Sequence, residues 1–545
     1  MKKIVLNEQD FTLLREDDGL YVDKTERIFE CIKYSRYLFL SRPRRFGKSL
    51  LISTLQALFS GKKELFKGLW IEDKWDWEEY PVIRLDFSDF EAGYSLEDLD
   101  ASFIATLQDY AELYGLRLLG KRAPSLFKSL LLKIYRKTGK RVVILIDEYD
   151  NPITSHLSDV KKAERNRAYF RDIYQTIKAR SGIIHFVLIT GISKFAKMSI
   201  FSAISQMKDI SLLPQFNDIV GFTEEELKSN FSEHLQAFGA ANNMTFKKVM
   251  EQITRWYDGY TWDGVQHIYN PYAILNALAD KMLDTYWFET GTPTFLIQLV
   301  TQHPPFKDAN APFLQQLDNL IATKETFDSY DLEDIDIKAA LFQSGYLTIK
   351  EIVQDDHLQS YQLGFPNYEV RHAFNAHLLK AFTRKNIANE IKGHAVFMRK
   401  ALRGRNKDKF QELITGVFAG IPSSNLKRIN EFGYQAMFYQ LLLLLGINDI
   451  FLEVSGYIGR ADGVLLLDNK IFVFEFKFAR QGTMKYLLDK AADQAQVQGY
   501  WHPYLGTEKE IYRVAVGFLY KKVGKTEKEV LTIDSSWERI TSKDG

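Results

Sequence analysis

YLFLSRPRRFGKSLLISTL, residues 37–55, decides how the N-terminal half of this chain is read. Tyr37 to Leu40 is an apolar run of strand length, and the spacing of Leu50, Leu51, Leu55 and Leu58 is that of an amphipathic helix. The loop RPRRFGKS at 42–49 joins them. Gly47 permits a tight turn, Lys48 can set a charge on the phosphates, and Ser49 can hold magnesium. All three sit at a helix N-terminus whose N–H groups favour anions. Arg44, Arg45, Phe46 and Leu50 complete the candidate nucleotide contacts. The usual pattern G-x-x-x-x-G-K-S/T is incomplete, because Arg42 stands where its first glycine would be. Arg44 and Arg45 read equally well as phosphate contacts and as partners of Asp23 or surface carboxylates.

Working outward, RVVILIDEYD at 141–150 is a buried strand ending in two adjacent carboxylates. Asp147 can hold magnesium through water and Glu148 can polarise an attacking water; the plainer reading has both capping the strand in solvent. HFVLITGISKF at 185–195 is another buried strand with polar residues at its carboxyl end, where open α/β sheets bind ligands. Thr190, Ser193 and Lys194 there fit either γ-phosphate sensing or ordinary loop chemistry. With Val82 to Asp86, these runs alternate with helical text up to about Gly221. Strands separated by helices imply a parallel α/β sheet.

The chain has 545 residues, 46% hydrophobic and 26% charged, which fits a multidomain globular protein and excludes a disordered, collagen-like or disulfide-framework class. Its formal net charge is +1, so no global field draws it to DNA or to an anionic membrane, and any nucleic-acid contact must be a local patch. Cys31 is the only cysteine, which rules out an intrachain disulfide and a cysteine-built zinc site and suits a reducing cytoplasm. The opening MKKIVLNEQDFTLLRED lacks an apolar core and does not read as a secretory signal. Ala436 to Ile447, the most apolar stretch, is too short to span a bilayer and reads as a buried helix. No membrane association is expected.

From Thr223 the text becomes helical with aromatic punctuation, WYDGYTW at 256–262 and YNPY at 269–272, with short extended pieces at Tyr346 to Ile349 and Tyr361 to Leu363. The aromatic group Trp256, Tyr257, Tyr260 and Trp262 suits core packing more readily than base stacking. Beyond Arg405 a third pattern begins: helices to Gly420 and over Asn430 to Leu445, then strands Ile450 to Val454, Gly463 to Leu467 and Ile471 to Phe478. Helix Met484 to Gly499 and strand Tyr512 to Leu519 follow. Three regions result: 1–221, a P-loop domain; 222–403, a helical lid and connector; and 404–545, a compact α/β unit.

The third region carries a second constellation in GRADGVLLLDNKIFVFEFK at 459–477. Phe472, Phe474, Phe476 and Phe478 share one strand face, and Glu475 and Lys477 the other. A turn at Asp468 and Asn469 folds the strand back, bringing Asp462 near that second face. Two carboxylates can bind magnesium or manganese, and the lysine can orient or help deprotonate a water for attack on phosphorus. Glu431 on the preceding helix can add an oxygen ligand, and Gln494 on the following helix, with Tyr500 nearby, can position water or substrate. The bland reading is charge on a solvated face. No H-x-x-x-H pair, H-E-x-x-H motif or serine elbow occurs. Lys407, Lys409, Lys427 and Arg428 form a modest basic group, by default a solvated surface.

With these motifs in hand, the chain resembles a bacterial family joining an AAA-ATPase-like domain to a C-terminal PD-(D/E)XK nuclease-superfamily domain. The matching text is LYVDKTE, SRPRRFGKSLL, LFKGLWI, YPVIRLDFS, IDEYDNPI, LITGISKF and YNPY, then GRADG with FEFK. The family normally carries the same arginine-containing loop, and its ATPase part is similar to STAND-type switch ATPases. The resemblance implies ATP and Mg2+ or Mn2+ as cofactors, with nuclease positions at Asp462, Glu475 and Lys477 and flanking positions at Glu431 and Gln494. The expected function is an ATP-controlled, metal-dependent nuclease acting on DNA. The alternative is a non-catalytic nucleotide-dependent switch or scaffold that binds nucleic acid or a protein partner. Homo-oligomerisation stays open, since an arginine finger in trans cannot be assigned from one chain. A helicase reading lacks a second motif set.

Overall fold

The computed structural model describes the chain except residues 91–95, 158, 195–203, 290–316, 318, 328–334, 357, 383–395, 420–449, 456–459, 523–528 and 541–545. The chain divides into two compact units, one from Met1–Leu296 and Asp318–Arg371, the other from the remainder.

The first unit is organised by five parallel strands: β1 (Tyr37–Ser41), β2 (Val82–Asp86), β3 (Val142–Asp147), β4 (Ile184–Gly191) and the short β5 (Lys208–Asp209), in the order β2-β3-β4-β1-β5. β1 and β3 are buried along their whole length. A strand covered on both faces cannot alternate, so these segments appear in the sequence as unbroken apolar runs. Helix Lys48–Phe59 leaves β1 and packs over β3, and helices Leu96–Leu113, Ala123–Thr138 and Val160–Ala179 pack in series alongside. The parallel arrangement brings the carboxyl ends of β1, β2 and β3 to one edge. Asp86 and Asp147 are register partners at the last position of β2 and β3.

Beyond β5 the unit is mainly helical, with Glu224–Asn230, Ser232–Asn242, Phe246–Tyr257 and Pro271–Asp280. Thr223 opens this region with a capping box, its side chain accepting from the Glu226 N–H while Glu226 accepts from Thr223 N–H. A small antiparallel sheet follows, β6 (Leu320–Ala322), β7 (Thr348–Asp355) and β8 (Leu358–Gly364), in the order β6-β8-β7. β7 and β8 run well beyond the short extended pieces expected. Only their inner halves are buried, and the outer half of β7, Glu351 to Asp355, is largely exposed and carries no apolar run.

The second unit contains a mixed five-stranded sheet: β9 (Ile450–Ser455), β10 (Arg460–Leu467), β11 (Lys470–Ala479), β12 (Glu510–Lys522) and β13 (Glu529–Ile540), in the order β13-β12-β11-β10-β9. All pairs are antiparallel except β11 and β12, which helix Met484–Gln498 connects as a crossover. The hairpin between β10 and β11 turns at Asp468, whose φ of 55° is left-handed. Phe472, Phe474 and Phe476 face one core with Phe410, Ile414 and Phe418 of helix Lys407–Ala419. Ile471 and Val473 face the other with Ala495, Tyr500 and Trp501. The two faces are those expected from the alternation. β13 was not anticipated: as an edge strand it carries polar residues along most of its length, and among its described side chains only Ile533, Ser535 and Ile540 are buried. The expected helix Asn430 to Leu445, including Ala436 to Ile447, lies outside the described residues.

Phe474 is 1% exposed and its ring stacks on that of Phe476 with centroids 6.1 Å apart. Phe474→Ala is expected to destabilise the second unit by about 3–5 kcal/mol, measured as a lowered denaturant midpoint for its unfolding transition. A shift below about 1 kcal/mol would mean that the phenylalanine face is not the core of this sheet.

Candidate functional site

The loop leaving β1 enters its helix through Gly47, which caps the helix at φ 92°. A Cβ at Gly47 would meet nothing within 4 Å, so backbone conformation and not space calls for glycine. Lys48 is 3% exposed; its Nζ donates to the Pro43 carbonyl at 3.2 Å and lies 3.5 Å from Glu148 Oε1. Glu148 adopts a left-handed φ of 49°, which turns its carboxylate from the end of β3 toward the loop. Burial raises the Glu148 carboxyl above the ordinary carboxylate range, while the charge of Lys48 opposes that rise.

Asp147 is fully buried at the end of β3. Its Oδ1 accepts from the Thr190 hydroxyl at 2.6 Å and from the Glu148 N–H at 3.0 Å. Its Oδ2 is buried with no hydrogen-bond partner among the described residues. An oxygen left in that state fits a hydrated cation, so Asp147 and Ser49 suit magnesium accompanying a nucleotide. A cavity of about 460 Å³ opens here, lined by Arg44 to Leu50, Asp86, Glu148 and Asn151, and on its far side by Pro271 and Tyr272. That volume suits a nucleotide. The residues expected around the phosphates, Arg44, Arg45, Phe46, Gly47, Lys48, Ser49, Leu50 and Glu148, all line it. Asp147, fully buried, is not among the lining residues; its chain neighbour Glu148 is.

Ser193 and Lys194 have structural partners. Ser193 donates its N–H and hydroxyl to Asp150, and Lys194 Nζ lies 3.0 Å from Asp209. Asp23 is engaged with the backbone N–H groups of Thr25 and Trp70.

Arg42 explains the missing glycine. Its guanidinium is fully buried, donating through Nη1 to the Ser41 and Ser211 carbonyls at 2.9 and 2.7 Å, and through Nη2 to the Phe216 carbonyl at 3.0 Å. It also lies over the Trp262 ring, 4.0 Å from the centroid. Burial lowers its affinity for a proton while Asp209, Asp263 and Asp218 oppose that shift, and an arginine keeps its charge under those terms. The next loop residues are held in turn: Trp287 donates to the Arg44 carbonyl at 3.0 Å, Arg45 lies 4.7 Å from the Tyr272 ring centroid, and Phe46 packs edge-on against Tyr260 and Trp262. Of the aromatic group in WYDGYTW, Tyr257, Tyr260 and Trp262 are core, Trp256 is half-buried against Tyr368, and two of the rings, Tyr260 and Trp262, grip the phosphate loop.

In the second unit, β10 and β11 pair at Gly463 and Phe474, which puts Asp462 beside Glu475 on the adjoining strand. Asp462 Oδ2 accepts from the Phe476 N–H at 2.7 Å. Glu475 is 0% and Lys477 9% exposed; Lys477 Nζ lies 3.1 Å from Glu475 Oε1 and donates to the Phe476 carbonyl at 2.8 Å. Tyr500 closes the group: burial raises its phenol, its hydrogen bond with Gln494 opposes this, and the nearby Glu475 and Asp462 add to the rise. Asp462, Glu475, Lys477, Gln494 and Tyr500 thus converge. Glu431 lies outside the described residues. Among the described residues no three acidic, histidine or cysteine side chains gather as a metal cluster. The donor set of two carboxylates is nonetheless hard oxygen, the chemistry that suits magnesium or manganese.

A family model described as "Predicted AAA-ATPase" matches residues 6–201, and one described as "PD-(D/E)XK nuclease superfamily" matches residues 429–528. A protein of Azotobacter chroococcum mcd 1, described as an uncharacterized protein in the vnfD 5' region, is 32% identical over 536 residues, covering 96% of this chain and 99% of its own. The chain belongs to the family that joins these two domains. An AAA-ATPase-like P-loop domain and a PD-(D/E)XK nuclease-superfamily domain are both present.

Asp86 and Asn151 of this AAA-ATPase-like domain, and Tyr272 from beyond it, line the cavity without having been singled out from sequence. Asp86 could have been found as the polar residue that ends an apolar strand, as Asp147 was. Tyr272 lies well beyond the matched segment, and no local signal links it to the loop.

Arg42→Gly restores the usual P-loop glycine. It is expected to lower the melting temperature of the first unit, because buried carbonyls left without donors cost about 1–3 kcal/mol each. Tighter nucleotide binding with unchanged melting would show that Arg42 does not hold the loop.

Proposed function

We propose that this protein is an ATP-controlled, magnesium- or manganese-dependent nuclease acting on DNA. The observation that carries this reading is the convergence of Asp462, Glu475 and Lys477, with Lys477 Nζ 3.1 Å from Glu475. In this proposal Asp462 and Glu475 hold the divalent ion, with Glu431 as a further oxygen ligand. The ion, when bound, activates water and neutralises charge on the phosphodiester. Lys477 orients that water and favours its hydroxide form, and Gln494, held by Tyr500, fixes water or substrate.

In the first unit, Lys48, the loop N–H groups and Arg44 and Arg45 bind the nucleotide phosphates, Phe46 and Leu50 shape the pocket, and Ser49 and Asp147 hold magnesium. Glu148 accepts a proton from, or orients, the water that attacks the γ-phosphate. ATP as the nucleotide, DNA as the substrate and the cytoplasm as the location are parts of the same proposal. The last is supported by a single, buried cysteine, Cys31, and among the described residues no helix is long and apolar enough to cross a membrane.

A second reading is supported by the hold of Tyr260, Trp262, Tyr272 and Trp287 on residues 42–46 of the phosphate loop. Nucleotide occupancy would then act on the helical region, and the nuclease fold would bind nucleic acid without cutting it. This switch or scaffold predicts nucleotide-dependent changes of shape with no cleavage under any metal.

The discriminating experiment is cleavage of plasmid and linear DNA by wild type, Glu475→Ala and Lys48→Ala, with magnesium or manganese and with or without ATP. Cutting is expected to vanish in Glu475→Ala with folding retained, and to lose its ATP response in Lys48→Ala. Undiminished cutting by Glu475→Ala would reject the site. Because burial raises the Glu148 carboxyl, ATP hydrolysis is expected to decline on acidification at a higher pH than an ordinary glutamate would dictate. Glu148→Gln should retain ATP binding and lose turnover; full turnover in that variant would remove Glu148 from the mechanism.

A further inference from the structure

From Leu113 to Ile146 the chain holds nine lysines and arginines and no aspartate or glutamate. This stretch contains helix Ala123–Thr138, and helix Val160–Ala179, which packs against it, adds six basic residues against two acidic ones. The whole chain, by contrast, has a formal net charge of +1. Helix Leu96–Leu113, which also packs on helix Ala123–Thr138, carries five acids and no base. Charge in this part of the first unit is therefore segregated, whereas solubility alone asks only for a surface on which the two signs are mixed.

Some of this charge serves the fold itself. Lys133 and Lys137 donate to the carbonyls of Arg117 and Tyr114, and Lys140 pairs with Glu78. Six others are exposed: Lys121, Arg122, Lys128, Arg136, Arg165 and Arg171. Among the described residues none of these six takes part in an ion pair, and no ion pair joins helix Ala123–Thr138 to the acidic helix. Burial and the hydrogen bond to Asp100 raise the Tyr169 phenol while the charge of Arg122 opposes that rise. Arg122, at the start of one helix, is therefore close to the middle of the other, where Tyr169 stands one turn beyond Arg165. The exposed basic residues of the two helices belong to one surface.

We infer that this surface docks the phosphate backbone of double-stranded DNA. The two helices are about 24 and 30 Å long at ~1.5 Å per residue, and a duplex presents one negative charge along every ~1.7 Å of its axis. Basic side chains spread along both helices thus meet an array of complementary charge, and an unpaired guanidinium or ammonium gains by releasing the counterions held there. The surface suits a duplex better than a single strand, whose binding sites add rings on which bases stack. Here Phe127, Phe170 and Tyr174 are buried, and Tyr135 and Tyr169 half-buried. Contacts to phosphate carry no sequence information, so the surface holds any duplex. This inference rests on the reading that the chain acts on DNA, and it assigns the grip to the unit that binds the nucleotide and not to the one that bears Glu475.

Binding of a short fluorescent DNA duplex is measured with the full chain in the Glu475→Ala background, where no cutting confuses it. Combined Arg122→Gln, Lys128→Gln, Arg136→Gln and Arg165→Gln is expected to weaken binding roughly tenfold or more and to lower the slope of log affinity against log salt by about 0.9 per lost contact. Removing the same charge elsewhere on this unit, at the exposed Lys63, Lys67, Lys74 and Lys247, should leave both quantities unchanged. Unchanged melting and nucleotide affinity confirm folding, and Arg122→Lys, Arg136→Lys and Arg165→Lys, which keep the charge, should retain binding. No duplex binding by the unsubstituted surface, no loss in the fourfold variant, an equal loss in the control variant, or tighter binding of the single strand, of an RNA duplex or of anionic phospholipid vesicles would each overturn the inference. The nuclease reading fails separately, if Glu475→Ala still cuts DNA.

Discussion

A charge inside a protein must be met by donors or by an opposite charge, since removing it from water costs several kcal/mol per ion. Lys48, Asp147, Glu475 and Lys477 are almost entirely shielded in this molecule. Each has partners: Lys48 the Pro43 carbonyl and Glu148, Asp147 at Oδ1 the Thr190 hydroxyl and the Glu148 N–H, and Glu475 and Lys477 one another. The strands that carry the acids cannot slip by one residue without placing these charges among apolar side chains. The demand for satisfied charge therefore adds to apolar packing in fixing register in both sheets.

The same constraint explains the loop. A phosphate-binding loop with glycine at its first position relies on backbone conformation alone. Here a buried guanidinium reaches three carbonyls and an indole face, and four aromatic residues from the helical region hold the residues that follow. Trp262 and Trp287 lie outside the segment matched by the ATPase model. The loop's shape is thus maintained by a part of the chain distant in sequence, and a change in either is felt by the other.

How much of this was legible before the structure depends on burial. β1 and β3 were readable because both faces are covered and the side chains are almost all apolar, and β2 and β4 because apolar runs dominate them despite half-buried Arg84, Asp86 and His185. The hairpin of β10 and β11 was readable because alternating phenylalanines meet a turn at Asp468. β13 was not, since an edge strand facing solvent looks like a polar loop, and the outer half of β7 escaped notice for the same reason. The loop, the acidic strand end and the D…ExK grouping were legible as chemistry because residue type and spacing are local. The function of Arg42 was not, because its partners at Ser211, Phe216 and Trp262 are more than a hundred residues away, and in the sequence it stands only as a departure from a pattern.

The placement of β12 has a consequence for biosynthesis. β11, with Glu475 and Lys477, lies between β10 and β12, and β12 is bracketed in turn by β13. During translation β10 and β11 can close as a local hairpin, but the parallel partner comes only after the crossover helix, and its own neighbour ends at Ile540. Parallel pairing across such a separation is entropically late. When β11 has just emerged, the P-loop sheet is complete while the strand bearing Glu475 lacks one side, so the acidic site reaches its final rigidity only after β12 and β13 have followed.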